Sequence, residues 1–316
     1  MKAVPIYRPK KRPLIKDLIR DRAFYYLIIP GALYFLIFHY VPIVGIATAF
    51  MDINKYDISL KGILTSPWVG LKHFNRFFSS FYFWSLLRNT MLISIYSLVW
   101  GFPMPILFAL LINEVRNLRY KRIVQGISYF PHFLSSVVVV GLVRIFFTSD
   151  PTGTMNQIIA LFGQEPLYWL GERRFFRSIY VGTQIWQHVG WGAIIYLAAI
   201  TGINPELYES AHIDGANRLQ QVVHITLPSI LHIAVLLLVL RLGGMLTVDF
   251  QYILLLYSPQ VYEVADVIQT YVYREGLEYL NYSYSAAVGL FNSVVSVILI
   301  VTANRIAKQL GQEALW

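Results

Sequence analysis

Six long stretches of this chain are almost free of charge, and no other feature restricts its fold as much. They are Phe24–Met51, Asn89–Asn113, Ile123–Val143, Ser178–Ile203, Ser229–Val248 and Tyr282–Asn304. A helix needs roughly 20 apolar residues to cross the hydrocarbon core of a bilayer, and each stretch is that long or longer. Only 14% of the chain is charged, against about 25% in soluble domains. A chain so poor in charge cannot cover itself with polar surface. The pattern predicts an all-α, polytopic membrane protein with six transmembrane helices. Prolines at 30, 42, 103, 105 and 131 fall inside or at the ends of the spans, where neighbouring helices can satisfy the carbonyls they free.

The remaining segments fix the topology. Residues 1–24 form a basic arm followed by an amphipathic stretch in which Leu14, Ile15, Leu18 and Ile19 share a helical face, suited to the membrane interface. A nucleic-acid arm is the other reading of this segment, but with so much membrane behind it a cytoplasmic tail near anionic lipid fits better. The first apolar block is too long for a signal-peptide core of roughly 7–15 residues, so it is expected to be a retained anchor. Residues 52–88, rich in Phe, Tyr and Trp, read as an outer loop resting on the interface. Residues 250–281, with Glu263, Asp266, Arg274, Glu275 and Glu278, read as an outer helical excursion. An even number of spans puts both termini on one side. That side carries fifteen Lys and Arg residues against nine on the other, which makes it cytoplasmic. The expected organisation is the arm at 1–24, a six-span domain at 25–305 and a cytoplasmic tail at 306–316.

One polar insert, residues 204–228, interrupts the apolar pattern on the cytoplasmic side. Asn204 is a good N-cap and Pro205 a good first helical residue. Glu206 and Glu209 suit the N-terminal half of a helix, and Leu207, Tyr208 and Ala211 give it an apolar surface. Asp214-Gly215 breaks the helix, because glycine takes the backbone angles of a sharp turn. Ala216–Ile225 forms a second helix, and Pro228 stiffens its junction with the fifth span. A small, rigid, exposed helix–turn–helix of this kind suits docking into a partner's groove.

The insert resembles the EAA loop of importer-type ABC transporter permeases. The resemblance rests on Glu209-Ser210-Ala211, Asp214-Gly215-Ala216, Ile225 and Leu227-Pro228, whose spacing follows the family pattern throughout. Ser210 departs from it by replacing one small residue with another. Further matches resemble the polysaccharide and oligosaccharide branch of sugar permeases, whose members import oligosaccharides, uronate-containing ones such as alginate fragments among them. These are Pro131-His132, Gly190-Trp191, Tyr196 to Ala199, Thr270 to Leu277, Ala286 to Asn292 and Leu315-Trp316. The resemblance implies the type I importer permease fold in a bacterial cytoplasmic (inner) membrane. It implies a second homologous permease as heterodimer partner, two ABC ATPase subunits and an extracytoplasmic solute-binding protein. It also implies an oligosaccharide substrate, with ATP and Mg bound only by the ATPases and alternating access driven by them. Glu206, Tyr208, Glu209, Ala211, Asp214, Gly215, Ala216 and Pro228 would then form the ATPase-coupling site, with Glu209 facing the ATPase.

Motifs for an independent enzyme do not occur. The chain lacks Gly-x-x-x-x-Gly-Lys-Ser/Thr, His-Glu-x-x-His and Gly-x-Ser-x-Gly. It has no cysteine, and its histidines at 188, 224 and 232 are dispersed, so no cofactor or metal is expected on it. Sugar recognition calls for aromatic faces and amide or charged donors. Gln184, Gln187, Trp191, Tyr196, Arg241, Asp249, Tyr252 and Asn292 are the candidates for the substrate pathway. Each has a plainer role open to it: packing for the aromatics, helix–helix hydrogen bonds for the amides, an ion pair for Arg241 with Asp249. Intramembrane charge is usually paired or functional, so Arg241 stands out, and an acidic sugar is one partner for it. Arg144 lies near a span end, where it can snorkel. A stand-alone carrier, or a membrane-embedded enzyme using Asp249, His188 and His232, remain the alternatives.

Overall fold

Inside a bilayer a backbone amide or carbonyl has no water to bond, so a segment at that depth must satisfy itself or be satisfied by a neighbour. Both solutions appear in the computed structural model of the chain, which describes residues 22–54 and 56–309. The basic arm at 1–21 and residues 310–316, with the Leu315-Trp316 ending, lie outside the described residues.

Four helices are long and apolar enough to cross a membrane: α1 (Arg22–Phe50), α4 (Phe83–Asn113), α10 (Arg218–Gly243) and α14 (Tyr282–Gln309). Between the first two lie the short helices α2 (Leu60–Thr65) and α3 (Lys72–Phe78). Leu118–Phe133 and Ser136–Phe146 together are apolar enough for a fifth, as a pair bent by 106° that forms either a broken span or a re-entrant loop; its halves are α5 (Leu118–Tyr129) and α6 (Ser136–Phe146). After α7 (Thr154–Ala160) comes α8 (Arg173–Thr201), a 29-residue rod about 43 Å long. It is long enough to cross, but Gln184, Gln187 and His188 dilute its apolar character. The described residues hold helices and no strands, as the six apolar blocks require.

Two elements differ from the sequence expectation. The third span is two helices at a steep angle, because Pro131 and the extended residues Leu134 and Ser135 break the hydrogen-bond ladder. The fifth span starts eleven residues earlier than the apolar block and passes through Pro228 as one helix. A π turn at Val222–Thr226 precedes the proline, and a widened turn gives room to the ring that would otherwise press on the carbonyl four residues back. The same helix ends at Gly243 rather than Val248. Residues 250–281, expected as a helical excursion, form α11 (Phe250–Leu256), α12 (Tyr262–Ala265) and α13 (Ile268–Tyr273), which pack against the N-terminal ends of α4 and α8 through Asn89, Arg173 and Arg177. Ile253, Leu256, Val261, Ala265, Val267 and Ile268 are all buried there.

Polar side chains from neighbouring helices close the carbonyls that these breaks leave open. Gln187 donates to the Leu134 carbonyl at 3.0 Å. Ser94 donates to the Met245 carbonyl, and Gln269 to that of Leu246. Asn89, 1% exposed, donates to the carbonyls of Glu263 (2.9 Å) and Asp266 (3.0 Å) and accepts from Arg177 at 2.9 Å. Asp266 and Arg274 form a bidentate pair at 2.6 and 3.2 Å with side chains 10% and 15% exposed, which neutralises both charges. Where helices approach closely, glycine makes room: a Cβ at Gly190 on α8 would meet the Ser128 carbonyl of α5 at 2.1 Å.

Asn89→Leu should leave two buried carbonyls and one arginine arm without their partner, a loss of about 2–3 kcal/mol. Its thermal unfolding midpoint in detergent should fall clearly below that of the exposed control Ser293→Leu; equal midpoints would exclude a role for Asn89 as a brace.

Candidate coupling loop and translocation cavity

The insert folds locally, by cap and turn chemistry. Asn204 caps α9 (Pro205–Ile213), its Oδ1 accepting from the Glu206 amide at 3.1 Å. The helix ends where Gly215 takes φ +80°, and the Ala216 amide returns to the Ala211 carbonyl at 2.8 Å. Asn217 and Gln220 form a reciprocal capping box at the start of α10. Tyr208 turns inward and its hydroxyl meets that of Thr226 at 2.9 Å, which ties α9 to α10. Arg218 pairs with Glu114 at 2.8 Å, joining the insert to the preceding loop on the same side.

These contacts sort the expected coupling residues. Tyr208, Ala211 and Ala216 are half-buried and hold the loop's shape, while Glu206, Glu209, Asp214 and Gly215 are exposed. Pro228 sits further along, inside α10. Ala211, Gly215, Gln220 and His224 line a cleft of about 320 Å3 between the two helices. Ile213 and Leu219, on either side of the turn, are 85% and 72% exposed; an apolar residue beside a turn carries no local signal that distinguishes core from docking surface. Gly215→Val forces a side chain into a left-handed conformation at a cost of about 1–2 kcal/mol. Hydrogen exchange over residues 205–225 should therefore accelerate; unchanged exchange would show that the turn does not depend on glycine.

A second constellation lies within the spans. Two adjoining cavities of about 370 and 300 Å3 share Ser97 on α4, Gln184 on α8 and Arg241 on α10. The Arg241 guanidinium donates to the Ser97 carbonyl at 2.9 Å and passes over Gly101, where a Cβ would come within 2.9 Å of it. Asp249 lines the same space, yet it forms no ion pair with Arg241 among the described residues. The Gln184 Nε2 is buried without a partner. Trp191 is 45% exposed. His132, from the break between α5 and α6, stacks on it with ring centres 4.6 Å apart and planes at 4°, and Phe133 meets it edge-on at 5.5 Å.

Gln184, Trp191, Arg241 and Asp249 thus come together, and the other candidates do not. Gln187 is buried, its amide nitrogen spent on Leu134 and its oxygen on the Tyr252 hydroxyl. Both residues therefore brace the bend. Tyr196 is 3% exposed in a core with Ala109, Ile112, Ile200 and Ile230. Asn292 lines a different cavity. His132 is the residue that sequence reasoning missed as a member of this group. His188 and His224 each bond the carbonyl four residues earlier, at 3.0 and 2.9 Å, and no group of three metal-ligating side chains exists among the described residues. A cavity of about 610 Å3 between α6 and α8 is larger but lined mainly by apolar residues such as Leu142, Phe146 and Trp186, without the donors a sugar needs.

Comparison with known proteins identifies the family. Residues 95–312 match the binding-protein-dependent transport system inner membrane component family. The chain belongs to this family. It is 45% identical over 314 residues to the polygalacturonan/rhamnogalacturonan transport system permease protein YteP of Bacillus subtilis (strain 168), covering 99% of this chain and 96% of that one. A chain of a bacterial ABC transporter that imports the acidic polysaccharide alginate superimposes with a TM-score of 0.86 at 44% identity, covering 94% of this chain and 98% of that chain. A chain of a bacterial alginate ABC transporter in complex with an alginate pentasaccharide-bound periplasmic protein gives 0.87 at 42% identity, covering 96% and 100%. The protein is thus an inner-membrane permease component with the type I importer fold.

Proposed function

We propose that this permease imports oligosaccharides carrying carboxylates, as one half of a pore completed by a second homologous permease. The observation that carries the reading is Arg241: a guanidinium near the end of an apolar span, in a polar cavity, with a carbonyl partner and no ion pair among the described residues. Intramembrane ionisable groups mark substrate paths. A uronate carboxylate supplies the missing anion. Trp191, held flat by His132 and half exposed to the cavity, offers a ring face to sugar C–H groups, and Gln184 offers an amide donor for a hydroxyl. Similarity to alginate and polygalacturonan importers supports the same substrate class.

The exposed helix α9 is the contact for a cytoplasmic ATPase, with Glu209 and Ile213 on its outer face. Two ATPases carrying ATP and Mg would bind the two permeases, and a solute-binding protein would deliver sugar from the opposite side. Nucleotide binding favours one pore state over the other only if it binds that state more tightly. In this reading residues 25–305 are the pore domain, residues 204–228 its coupling loop, and both termini are cytoplasmic. A stand-alone carrier or membrane enzyme has no use for the spaced Glu209–Pro228 loop, and no observation favours either.

In nanodiscs containing the assembled importer and its binding protein, Arg241→Gln should reduce ATP hydrolysis stimulated by uronate oligosaccharides about 10–100-fold, the value of a charge-assisted hydrogen bond. Stimulation by neutral oligosaccharides should change little. An equal loss with both substrates would remove the carboxylate contact from consideration. Glu209→Ala should leave sugar binding intact while uncoupling it from hydrolysis, checked by comparing ligand affinity with ATPase rate.

A further inference from the structure

We infer that Asp249 is a specificity-determining residue of the pore: it takes the free vicinal hydroxyls of the sugar unit whose carboxylate lies at Arg241, so that a unit esterified at those hydroxyls is refused. The inference rests on the carboxylate reading above and deepens it. Asp249 borders the same cavity of about 300 Å3 as Arg241. It is exposed there, within reach of a ligand, and it forms no ion pair among the described residues. A carboxylate set among apolar spans without a cationic partner is as unusual as the arginine that shares its cavity.

The place of Asp249 relative to Arg241 is fixed. The segment between them is held at three points: the Thr247 amide bonds the Gly244 carbonyl at 2.8 Å, Ser94 holds the Met245 carbonyl and Gln269 that of Leu246. Arg241 is held from another helix, through the Ser97 carbonyl on α4. The two opposite charges therefore border one space without closing it by pairing.

A ligand that fits this space must offer an anion to the guanidinium and hydrogen-bond donors to the carboxylate. An ionised carboxylate only accepts, and its two oxygens take two donors at once. A pyranose ring with a carboxylate on one side and two adjacent hydroxyls on the opposite side supplies both. Hydrogen bonds to an ionised acceptor are roughly twice as strong as neutral ones. An O-acetyl ester has no O–H to give. It turns a carbonyl oxygen toward the carboxylate, acceptor against acceptor, and adds bulk to a cavity at the small end of the range of about 300–1,000 Å3 usual for ligand sites. A second carboxylate is refused at Asp249 by like charge, which sets the direction of the unit: acid toward Arg241, hydroxyls toward Asp249. Gln184 also lines this cavity, but an amide both donates and accepts, so it cannot tell a hydroxyl from its ester in this way.

The test is equilibrium binding to the assembled importer in nanodiscs without binding protein, so that the preference of the binding protein does not enter. The two probes are a labelled uronate oligosaccharide and the same chain with its ring hydroxyls acetylated. The wild type should bind the free chain at least about tenfold more tightly, the worth of a charge-assisted hydrogen bond. Asp249→Asn keeps the size of the side chain and a good N-cap residue for α11, but it adds a donor and removes the charge. It should weaken the free chain about tenfold and move the acetylated chain by no more than about twofold, erasing most of the preference. Arg241→Gln should weaken both chains and leave their ratio unchanged. Equal binding of the two chains by the wild type, or an equal shift of both in Asp249→Asn, overturns the inference. Tighter binding of both, as expected of a counter-ion that competes for Arg241, overturns it as well. Should Asp249→Asn fail to assemble, Asp249→Ser also keeps a capping residue and carries the same readout. If Arg241→Gln weakens neutral and uronate chains alike, the carboxylate reading fails by itself. A neutral oligosaccharide and its acetylated form then take the same comparison: a preference lost in Asp249→Asn upholds Asp249 as the reader of hydroxyls, and a preference that survives overturns it.

Discussion

The structure depends on closing backbone carbonyls where helices break within the membrane. Three breaks matter: at Pro131–Ser135, at Gly244–Asp249, and along the returning segment around Glu263–Asp266. Each is closed by a side chain reaching across from another helix, Gln187 for the first, Ser94 and Gln269 for the second, Asn89 for the third. Without those donors the non-helical stretches would expose unpaired carbonyls at membrane depth, at several kcal/mol for each group. With them, irregular backbone can line cavities, and the cavities are where the permease can do more than span.

The same constraint sets what could be read from the amino acids. The coupling loop was legible because its shape is made by neighbours in sequence: Asn204 caps, Pro205 starts, Gly215 turns, and each acts within one or two helical turns. The spans were legible because burial in lipid requires length and lack of charge. The substrate path was legible only in part. Gln184 and Gln187 lie three residues apart on the same helix and look equivalent in sequence, but one faces a cavity and the other braces a bend. The difference lies in what stands opposite each, and sequence spacing does not encode that.

Charge plays two parts. In the helical excursion Asp266 and Arg274 neutralise each other and Glu275 accepts from Asn281 at 2.8 Å, so the segment packs closely against the spans. Arg241 has no carboxylate partner among the described residues, which sets it apart from the paired Arg274. His132 was hidden for a different reason. Its contact with Trp191 exists only because α5 and α6 meet at 106°, a tertiary angle that Pro131 hints at without specifying.

The continuity of α10 has a mechanical consequence. Because its π turn lets the helix run through Pro228 unbroken, one 26-residue rod about 39 Å long joins the capping box at Asn217 to the guanidinium at Arg241. A kink at the proline would have absorbed motion between the two ends. A stiff rod transmits it: tilting by about 5° around one end carries the other by roughly 3 Å, on the scale of a hydrogen bond. The capping box and Arg241 are thus opposite ends of a single lever, and a displacement too small to reshape the loop is large enough to make or break one hydrogen bond.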